Sequence, residues 1–188
     1  MSDFNVAIPV ILRHEGGWVN NKNDTGGATN FGVSLRWLLA NGQIDNDHDG
    51  YLDGDFNHDG IVDARDIAAM SVADATDIYR REWWDYFGYG NISSDAVASK
   101  VFDMAVNMGG KQAHKILQRA LIRCGIAPLT VDGVLGNHTL ASTNAVDQWR
   151  LLPALQNVQA EFYKGLVENN PGLAEFLTGW LRRAYDAS

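Results

Sequence analysis

The sequence has one cysteine and no excess of basic residues, and each shortage removes a class of protein. Cys124 has no partner for an intramolecular disulfide, so folding does not require an oxidising compartment. The 15 basic residues are outnumbered by 23 acidic ones, and the net charge is −8. This balance argues against a protein that binds nucleic acid through a basic face.

Long apolar runs are also missing. No stretch approaches the roughly 18 apolar residues of a membrane-spanning helix, so we expect no stable membrane insertion. Residues 1–15 have neither the basic start nor the long apolar core of a Sec signal. We therefore expect synthesis in the cytoplasm without a signal peptide.

Apolar residues recur at helical spacing through most of the chain, whereas the alternating pattern of strands is nearly absent. The fold class is therefore predicted to be mainly α, with little or no sheet. Residues 18–33 are interpreted as an irregular loop or a small hairpin. Pro9 lies inside the first helix and predicts a kink or a later start. Helices are predicted at 4–14, 35–40, 71–86, 94–108, 111–123, 147–168 and 172–185.

The acidity of the chain is concentrated in residues 45–66. This segment holds eight aspartates and one basic residue, Arg65, whereas the rest of the chain has 14 basic and 15 acidic residues. Eight mutually repelling carboxylates would not stay compact without a counter-ion. The segment therefore needs its own explanation.

An EF-hand-type loop places oxygen ligands at positions 1, 3, 5, 7, 9 and 12 and a glycine at position 6. Residues 55–66, DFNHDGIVDARD, fit every position, with Gly60 at the sharp turn. We predict a structural Ca²⁺ site here and no cofactor for catalysis. The loop resembles the calcium loops of dockerins, which also end on aspartate. The predicted ligands are Asp55, Asn57, Asp59, the carbonyl of Ile61, Asp63 and Asp66.

A second, overlapping loop begins ten residues earlier with DNDHDGYLDGDF. Its twelfth position is Phe56, which cannot bind a metal, and Asp55 belongs to both loops. The sequence therefore leaves open whether this loop is a weaker site or supplies additional ligands. The candidates are Asp45, Asp47, Asp49, Tyr51 and Asp53.

Glu15 ends an apolar helix and is followed by two glycines. A carboxyl at such a junction lies against apolar neighbours, and partial desolvation favours the protonated form that a general acid needs. Asp24 follows as a candidate second carboxylate, with Thr29 and Asn30 as groups that could hold a water or substrate. The alternative is a structural role without catalysis, in which Glu15 pairs with Arg13 or Lys22 and residues 24–27 form an ordinary turn.

Two further residues are candidates for sugar binding. Trp18 could stack on a sugar face, although most of the six tryptophans are expected in the core. Asn107 ends a helix before two glycines, where it either binds an acetamido group or caps the helix.

The motifs HEGGWVNN, DTGGATNFGVS and ATDIYRREWWD resemble glycoside hydrolase family 108, the N-acetylmuramidases. The later VFDMAVNMGGKQAHKILQRAL, VDGVLGNHTL and FLTGWLRRAY resemble the peptidoglycan-binding region of these proteins. The resemblance implies a lysozyme-like helical domain into which the calcium loop is inserted, and it places the family's catalytic glutamate on Glu15. It leaves the second carboxylate open.

The resemblance implies a peptidoglycan hydrolase that cleaves the β-1,4 bond between N-acetylmuramic acid and N-acetylglucosamine. We predict a catalytic region at 1–90 and a helical peptidoglycan-binding region at 91–188, packed as one globular unit. The expected protein is a monomeric, bacteriolytic endolysin that reaches the periplasmic cell wall through a separate holin or export system.

Three alternatives remain at this point. A lytic transglycosylase needs only one glutamate and leaves anhydro ends. A zinc amidase is disfavoured because none of the five histidines forms an H-x-x-x-H pair, and no G-x-S-x-G nucleophile motif is present. The last alternative is a calcium-dependent wall-binding module without activity.

Overall fold

A computed structural model describes residues 1–17, 28–46 and 48–186. The predicted mainly α class is confirmed, since the only sheet among the described residues is a hairpin of β1 (Thr29–Asn30) and β2 (Val33–Ser34). No helix in these ranges is long and apolar enough to cross a membrane. The helices are α1 (Phe4–Glu15), α2 (Leu35–Asn41), α3 (Ala64–Ala69), α4 (Val72–Tyr79), α5 (Asp95–Met108), α6 (Gly110–Arg123), α7 (Asn137–Ala145), α8 (Gln148–Asn169) and α9 (Leu177–Tyr185).

The chain divides into two compact units, which we call the small unit and the large unit. The small unit is Leu12–Tyr79, and the large unit is Met1–Ile11 with Arg80–Ser188. The predicted boundary between the catalytic region, 1–90, and the peptidoglycan-binding region, 91–188, is a functional one and differs from this structural division. It stays a prediction.

Helix α5 is the centre of the large unit. Residues 97–105 are all buried, so this helix is covered on every side, mainly by α6 and α8. Two of the buried residues are charged. Asp103 forms an ion pair with Arg183 of α9 at 2.8 Å, and Lys100 donates from Nζ to the Arg183 carbonyl at 2.7 Å. These contacts fasten the C-terminal helix to α5.

An aromatic cluster packs on the other side of α5. Trp84 is 5% exposed and meets Phe4, Tyr89 and Phe102 edge-on, with ring centroids 5.5–6.1 Å apart. Trp84 belongs to a π-helical segment, Arg80–Asp85, that follows α4. The predicted helix at 71–86 is therefore corrected, because its α-helical part ends at Tyr79. The residues that follow form a wider π-helical turn, and Trp84 of this turn packs in the aromatic cluster.

The loop at residues 131–136 is held against α6 by buried polar side chains. His114 contacts the Gly133 carbonyl through Nδ1 at 3.1 Å and the Tyr89 hydroxyl through Nε2 at 2.9 Å. Gln118 accepts from the Gly133 amide and donates to Asp132. This anchoring precedes α7, a helix that the sequence pattern did not predict.

The small unit contains the hairpin, α2, the acidic segment, α3 and α4. Ser34 caps α2 by accepting from the Trp37 amide, as its position predicts. Ser71 and Asp74 form a capping box at the start of α4. Helix α1 begins at Phe4 with Pro9 inside it, so the late start that Pro9 suggested does not occur.

Candidate functional site

Glu15 is the last residue of α1, and the chain leaves the helix immediately after it. Gly16 follows with a φ of 74°, which glycine adopts at little steric cost, and both Gly16 and Gly17 are exposed. The Glu15 side chain is half-buried. The predicted junction of an apolar helix and an open glycine backbone is therefore present.

The turn of the hairpin packs directly against Glu15. Phe31 and Gly32 form this two-residue turn with φ values of 47° and 79°. A Cβ added to Gly32 would lie 2.7 Å from Cβ of Glu15 and 2.9 Å from its Cγ. Only a residue without a side chain fits there, so the turn and the glutamate restrict each other's position.

Tyr79 completes this arrangement from α4. The side chain is 2% exposed, and its hydroxyl donates to the Phe31 carbonyl at 2.8 Å. A Cβ on Gly32 would also overlap with this hydroxyl. Tyr79 therefore anchors the turn that supports Glu15. Tyr79 is not among the site residues predicted from the sequence, although a tyrosine next to Ile78 on the apolar face of a helix indicates a buried hydroxyl that needs a partner.

Thr29 and Asn30 lie on β1 of the same hairpin. Asn30 is 7% exposed, and its Nδ2 donates to the carbonyls of Ile67 and Met70 at 3.1 and 3.3 Å. The Asn30 amide thus fastens the hairpin to the end of α3, while Thr29 is half-exposed. A substrate contact by either residue stays a prediction.

Three predicted site residues, Trp18, Asp24 and Asp47, lie outside the described residues. Asn107 lies in the large unit and is exposed, and its Oδ1 accepts from the Tyr163 hydroxyl at 2.6 Å. The helix cap is Gly109 rather than Asn107, so the alternative that Asn107 caps α5 is wrong.

Residues 55–66 adopt a tight loop around the Asp55 carboxylate. Asp55 is 2% exposed and accepts from the amides of Asp59 and Gly60 at 3.0 and 2.8 Å. Asp66 is fully buried and accepts from the amides of Asn57 and Asp63 at 3.2 and 2.7 Å. Buried carboxylates at positions 1 and 12 thus point inward from the two ends of the loop.

The loop of residues 45–56 repeats this geometry ten residues earlier. Gly50 donates to Asp45 at 3.2 Å as Gly60 does to Asp55, and Tyr51 donates to Asp49 as Ile61 does to Asp59. The fourth and sixth residues of both loops, His48, Gly50, His58 and Gly60, have positive φ. The two loops meet where the ring of Tyr51 packs at a tilt against His58, with centroids 4.0 Å apart.

Arg65 supplies positive charge to the loop of residues 55–66. The guanidinium lies 2.6 Å from Oδ2 of Asp59 and 2.9 Å from Oδ2 of Asp63, and hydrogen bonding from Arg65 lowers the pKa of Asp63. Within the described ranges, no group of three or more His, Cys, Asp and Glu side chains is arranged to hold a metal ion. The carboxylates of the loop instead contact backbone amides and Arg65.

The loop of residues 45–56 also contains an unusual oxygen. Oδ1 of Asp45 is buried and has no hydrogen-bond partner among the described residues. Asp53, the ninth residue of this loop, accepts from the backbone and side-chain amides of Asn46, both at 2.8 Å. An orphan carboxylate oxygen costs free energy unless a cation or a water reaches it. A carboxylate oxygen of this kind is a ligand that a hard cation such as Ca²⁺ takes.

Comparison with known proteins connects these features to a family. The model of glycosyl hydrolase family 108 matches residues 8–109, and a domain described as "Predicted Peptidoglycan domain" matches residues 112–185. The structure of SagA from Brucella abortus superposes with a TM-score of 0.64 and 26% sequence identity, covering 96% of this chain and 92% of that one. The chain has no significant match among curated proteins.

The matched hydrolase region contains Glu15, Gly32 and Tyr79, and the matched peptidoglycan domain contains α7, α8 and α9. The family match covers more than half of the chain, and the domain match follows it in sequence order. The chain therefore belongs to glycosyl hydrolase family 108, and it is a muramidase-type peptidoglycan hydrolase with a peptidoglycan-binding region after its hydrolase region.

Proposed function

We propose that the enzyme hydrolyses the β-1,4 bond between N-acetylmuramic acid and N-acetylglucosamine, with Glu15 as the general acid. The observation that carries this proposal is the position of Glu15, half-buried at the end of α1 and supported by Gly32. A general acid needs a carboxyl that is held in one place and partly shielded from water. The exposed Gly16 and Gly17 allow a bulky glycan chain to approach the backbone beside it.

In this mechanism the Glu15 carboxyl gives its proton to the glycosidic oxygen as the bond to the sugar breaks. A water completes the hydrolysis, and its proton returns to a carboxylate. Asp24 is our candidate for that second carboxylate. Because the separation of the two carboxyls decides between inversion and retention, the position of Asp24 would also determine the stereochemistry.

Muropeptide analysis of digested sacculi tests this proposal. We expect Glu15→Gln to lower the rate of product release by at least about 100-fold, the usual contribution of general acid catalysis, with an unchanged melting temperature. Glu168→Gln, which alters an exposed glutamate of α8, is the control and should keep full activity. Retained activity in Glu15→Gln would show that Glu15 is not the acid. Products with 1,6-anhydro ends would show that the reaction is transglycosylation and not hydrolysis.

We further propose that residues 55–66 bind a structural Ca²⁺ ion. The ligands would be Asp55, Asn57, Asp59, the Ile61 carbonyl, Asp63 and Asp66, with Asp45 and its loop as neighbours. The support is the inward position of the buried Asp55 and Asp66 carboxylates and the orphan oxygen of Asp45. When bound, the ion would neutralise the repulsion among these carboxylates and order the segment before α3.

The substrate also suggests where the enzyme acts. Peptidoglycan lies outside the cytoplasmic membrane, so we place the activity on the periplasmic wall, as a monomeric endolysin that a separate holin or export system releases. Expression in a bacterial cytoplasm with and without a holin tests this setting. We expect lysis only when the holin is present; lysis without it would contradict the proposed route.

A further inference from the structure

The large unit has an exposed tryptophan at the rim of a surface pocket. Trp149 is the second residue of α8, and it is 77% exposed, which is unusual for so large an apolar side chain. It lines a pocket of about 340 Å³ between the start of α5 and the junction of α7 with α8. An exposed indole beside a concave surface indicates a contact with a ligand rather than with the protein core.

The walls of this pocket consist of uncharged polar groups on an apolar floor. Ile92 and Val97, which are 1% and 2% exposed, form the floor. Among the described residues that line the pocket, the single charged group is the Asp147 carboxylate, and none is a lysine or arginine. This composition favours a neutral ligand with hydroxyl and amide groups and disfavours an anion, which Asp147 would repel. The polar walls are Ser93, Ser94, Asn144 and Gln148.

Hydrogen bonds hold these polar groups in place. Asn144 joins both sides of the pocket, accepting from the Ser93 amide at 2.8 Å and donating to the Asn91 carbonyl at 2.9 Å. Ser94 donates to Oε1 of Gln148 across the floor. Among the described residues, Nε2 of Gln148 has no acceptor, so this donor is available to a ligand. A pocket whose groups are already ordered loses less entropy when a ligand binds.

Asp147 fixes the position of the tryptophan. It caps α8 and accepts from the Trp149 amide at 2.8 Å, which orients the first turn of the helix. The indole is therefore attached to a capped helix turn, next to the Gln148 side chain. A sugar ring lying on the indole face would bring its substituents to the polar wall.

We propose that this pocket is a binding site for an N-acetylhexosamine unit of the wall glycan, separate from the Glu15 site. The ring packs on Trp149, the acetamido carbonyl accepts from Nε2 of Gln148, and the acetamido methyl contacts Ile92 and Val97. The proposal rests on peptidoglycan being the substrate and not on the role of Glu15. Six of the ten residues that line the pocket, all between positions 143 and 149, lie in the matched peptidoglycan domain.

The test uses the full-length Glu15→Gln protein, in which the glycan stays intact. The indole N–H signal of Trp149, identified by its loss in Trp149→Phe, is followed by NMR during titration with N-acetylchitotetraose. We expect this signal to shift on saturation. An unchanged signal overturns the proposal, and so does a shift caused by the free stem peptide but not by the sugar.

Retention on purified sacculi provides the second measurement. On the Glu15→Gln background, Trp149→Ala should weaken retention about tenfold, as truncation of a central aromatic contact does. Tyr86→Ala is the matched control, since Tyr86 is 76% exposed and does not line the pocket. Equal retention of the two variants overturns the proposal. If the wild-type protein does not lyse sacculi, the proposed function is contradicted, whereas the result of the binding experiment still stands.

Discussion

The hydroxyl of Tyr79 donates a hydrogen bond to the carbonyl of Phe31, 48 residues earlier in the chain. Phe31 precedes Gly32, whose backbone packs against the Glu15 side chain. A residue at the end of α4 thereby supports the candidate general acid at the end of α1. This relationship places Tyr79 among the positioning residues of the site.

The first prediction concerns this hydrogen bond. Tyr79→Phe leaves the Phe31 carbonyl without its donor, and we expect the free energy of unfolding to fall by about 1 kcal/mol. Because the turn beside Glu15 loosens, lysis of sacculi should fall more than stability alone explains. Tyr89→Phe is the control: it removes a buried hydroxyl from His114 in the large unit at a similar cost in stability. Equal activity of the two variants, measured by turbidity, would show that Tyr79 is only structural.

Calcium removal is the second prediction. We expect EDTA to lower the melting temperature and added Ca²⁺ to restore it. Bound Ca²⁺ raises the free energy of unfolding by about 2.7 kcal/mol when the ion is at 100 times its dissociation constant. Asp55→Asn should abolish the response because it removes the central carboxylate of the loop. Asp77→Asn changes an exposed aspartate of α4 and should respond like the wild type. Absence of any response, together with no binding heat in calorimetry, would make the segment an ordinary acidic turn.

The third prediction is a loss of stability in mild acid. Burial lowers the pKa of His114 in the folded protein, and the hydrogen bond to the Gly133 carbonyl opposes this shift. The unfolded chain, with a histidine pKa near 6.5, therefore binds the proton at a higher pH than the folded chain does. The stability contributed by neutral His114 is complete above about pH 6.5 and is lost as the pH falls through the folded pKa.

Urea unfolding between pH 7.5 and 5.5 measures this effect. In His114→Gln the decline below pH 6.5 should be smaller than in the wild type, whereas His138→Gln, at an exposed position, should keep it. An identical decline in both variants would mean that other groups cause the pH dependence.

The fourth prediction concerns the buried ion pair of the large unit. Asp103 is fully buried and pairs with Arg183, while burial lowers the pKa of the neighbouring Lys100 to about 8 and Asp103 opposes that shift. Asp103→Asn removes the buried carboxylate that pairs with Arg183 and faces Lys100, and we expect a loss of about 3–5 kcal/mol in chemical denaturation. Glu161→Gln breaks the exposed pair with Arg123 and should cost less than about 1 kcal/mol. Similar losses in the two variants would contradict this assignment.

Much of the local structure could be predicted from the sequence because its determinants are close together in the chain. The caps at Ser34, Ser71 and Ser94 each contact the amide three residues further along the chain. The short helix α3 was missed although its signal is present, since Asp63 and Asp66 form a capping box. Those residues were interpreted only as calcium ligands, and the two roles are compatible.

Other features depend on contacts that no local pattern contains. Helix α7, Asn137–Ala145, has a polar sequence without a clear apolar face, yet Thr139 and Thr143 are buried in it. Gln118 of α6 reaches Thr139 from 21 residues away. Burial of polar groups is favourable only where a partner is in reach, and that partner is supplied by the tertiary structure.

By itself, the sequence determined the mainly α class, the acidic loop pattern, the family and Glu15 as the candidate acid, because these rest on residue types at short, regular spacings. Only the tertiary structure decided that Gly32 and Tyr79 support Glu15, that the Asn30 amide is occupied by α3, and that Trp149 stands exposed beside a polar pocket. Each of these depends on chain segments far apart in sequence that packing brings within hydrogen-bond or van der Waals distance.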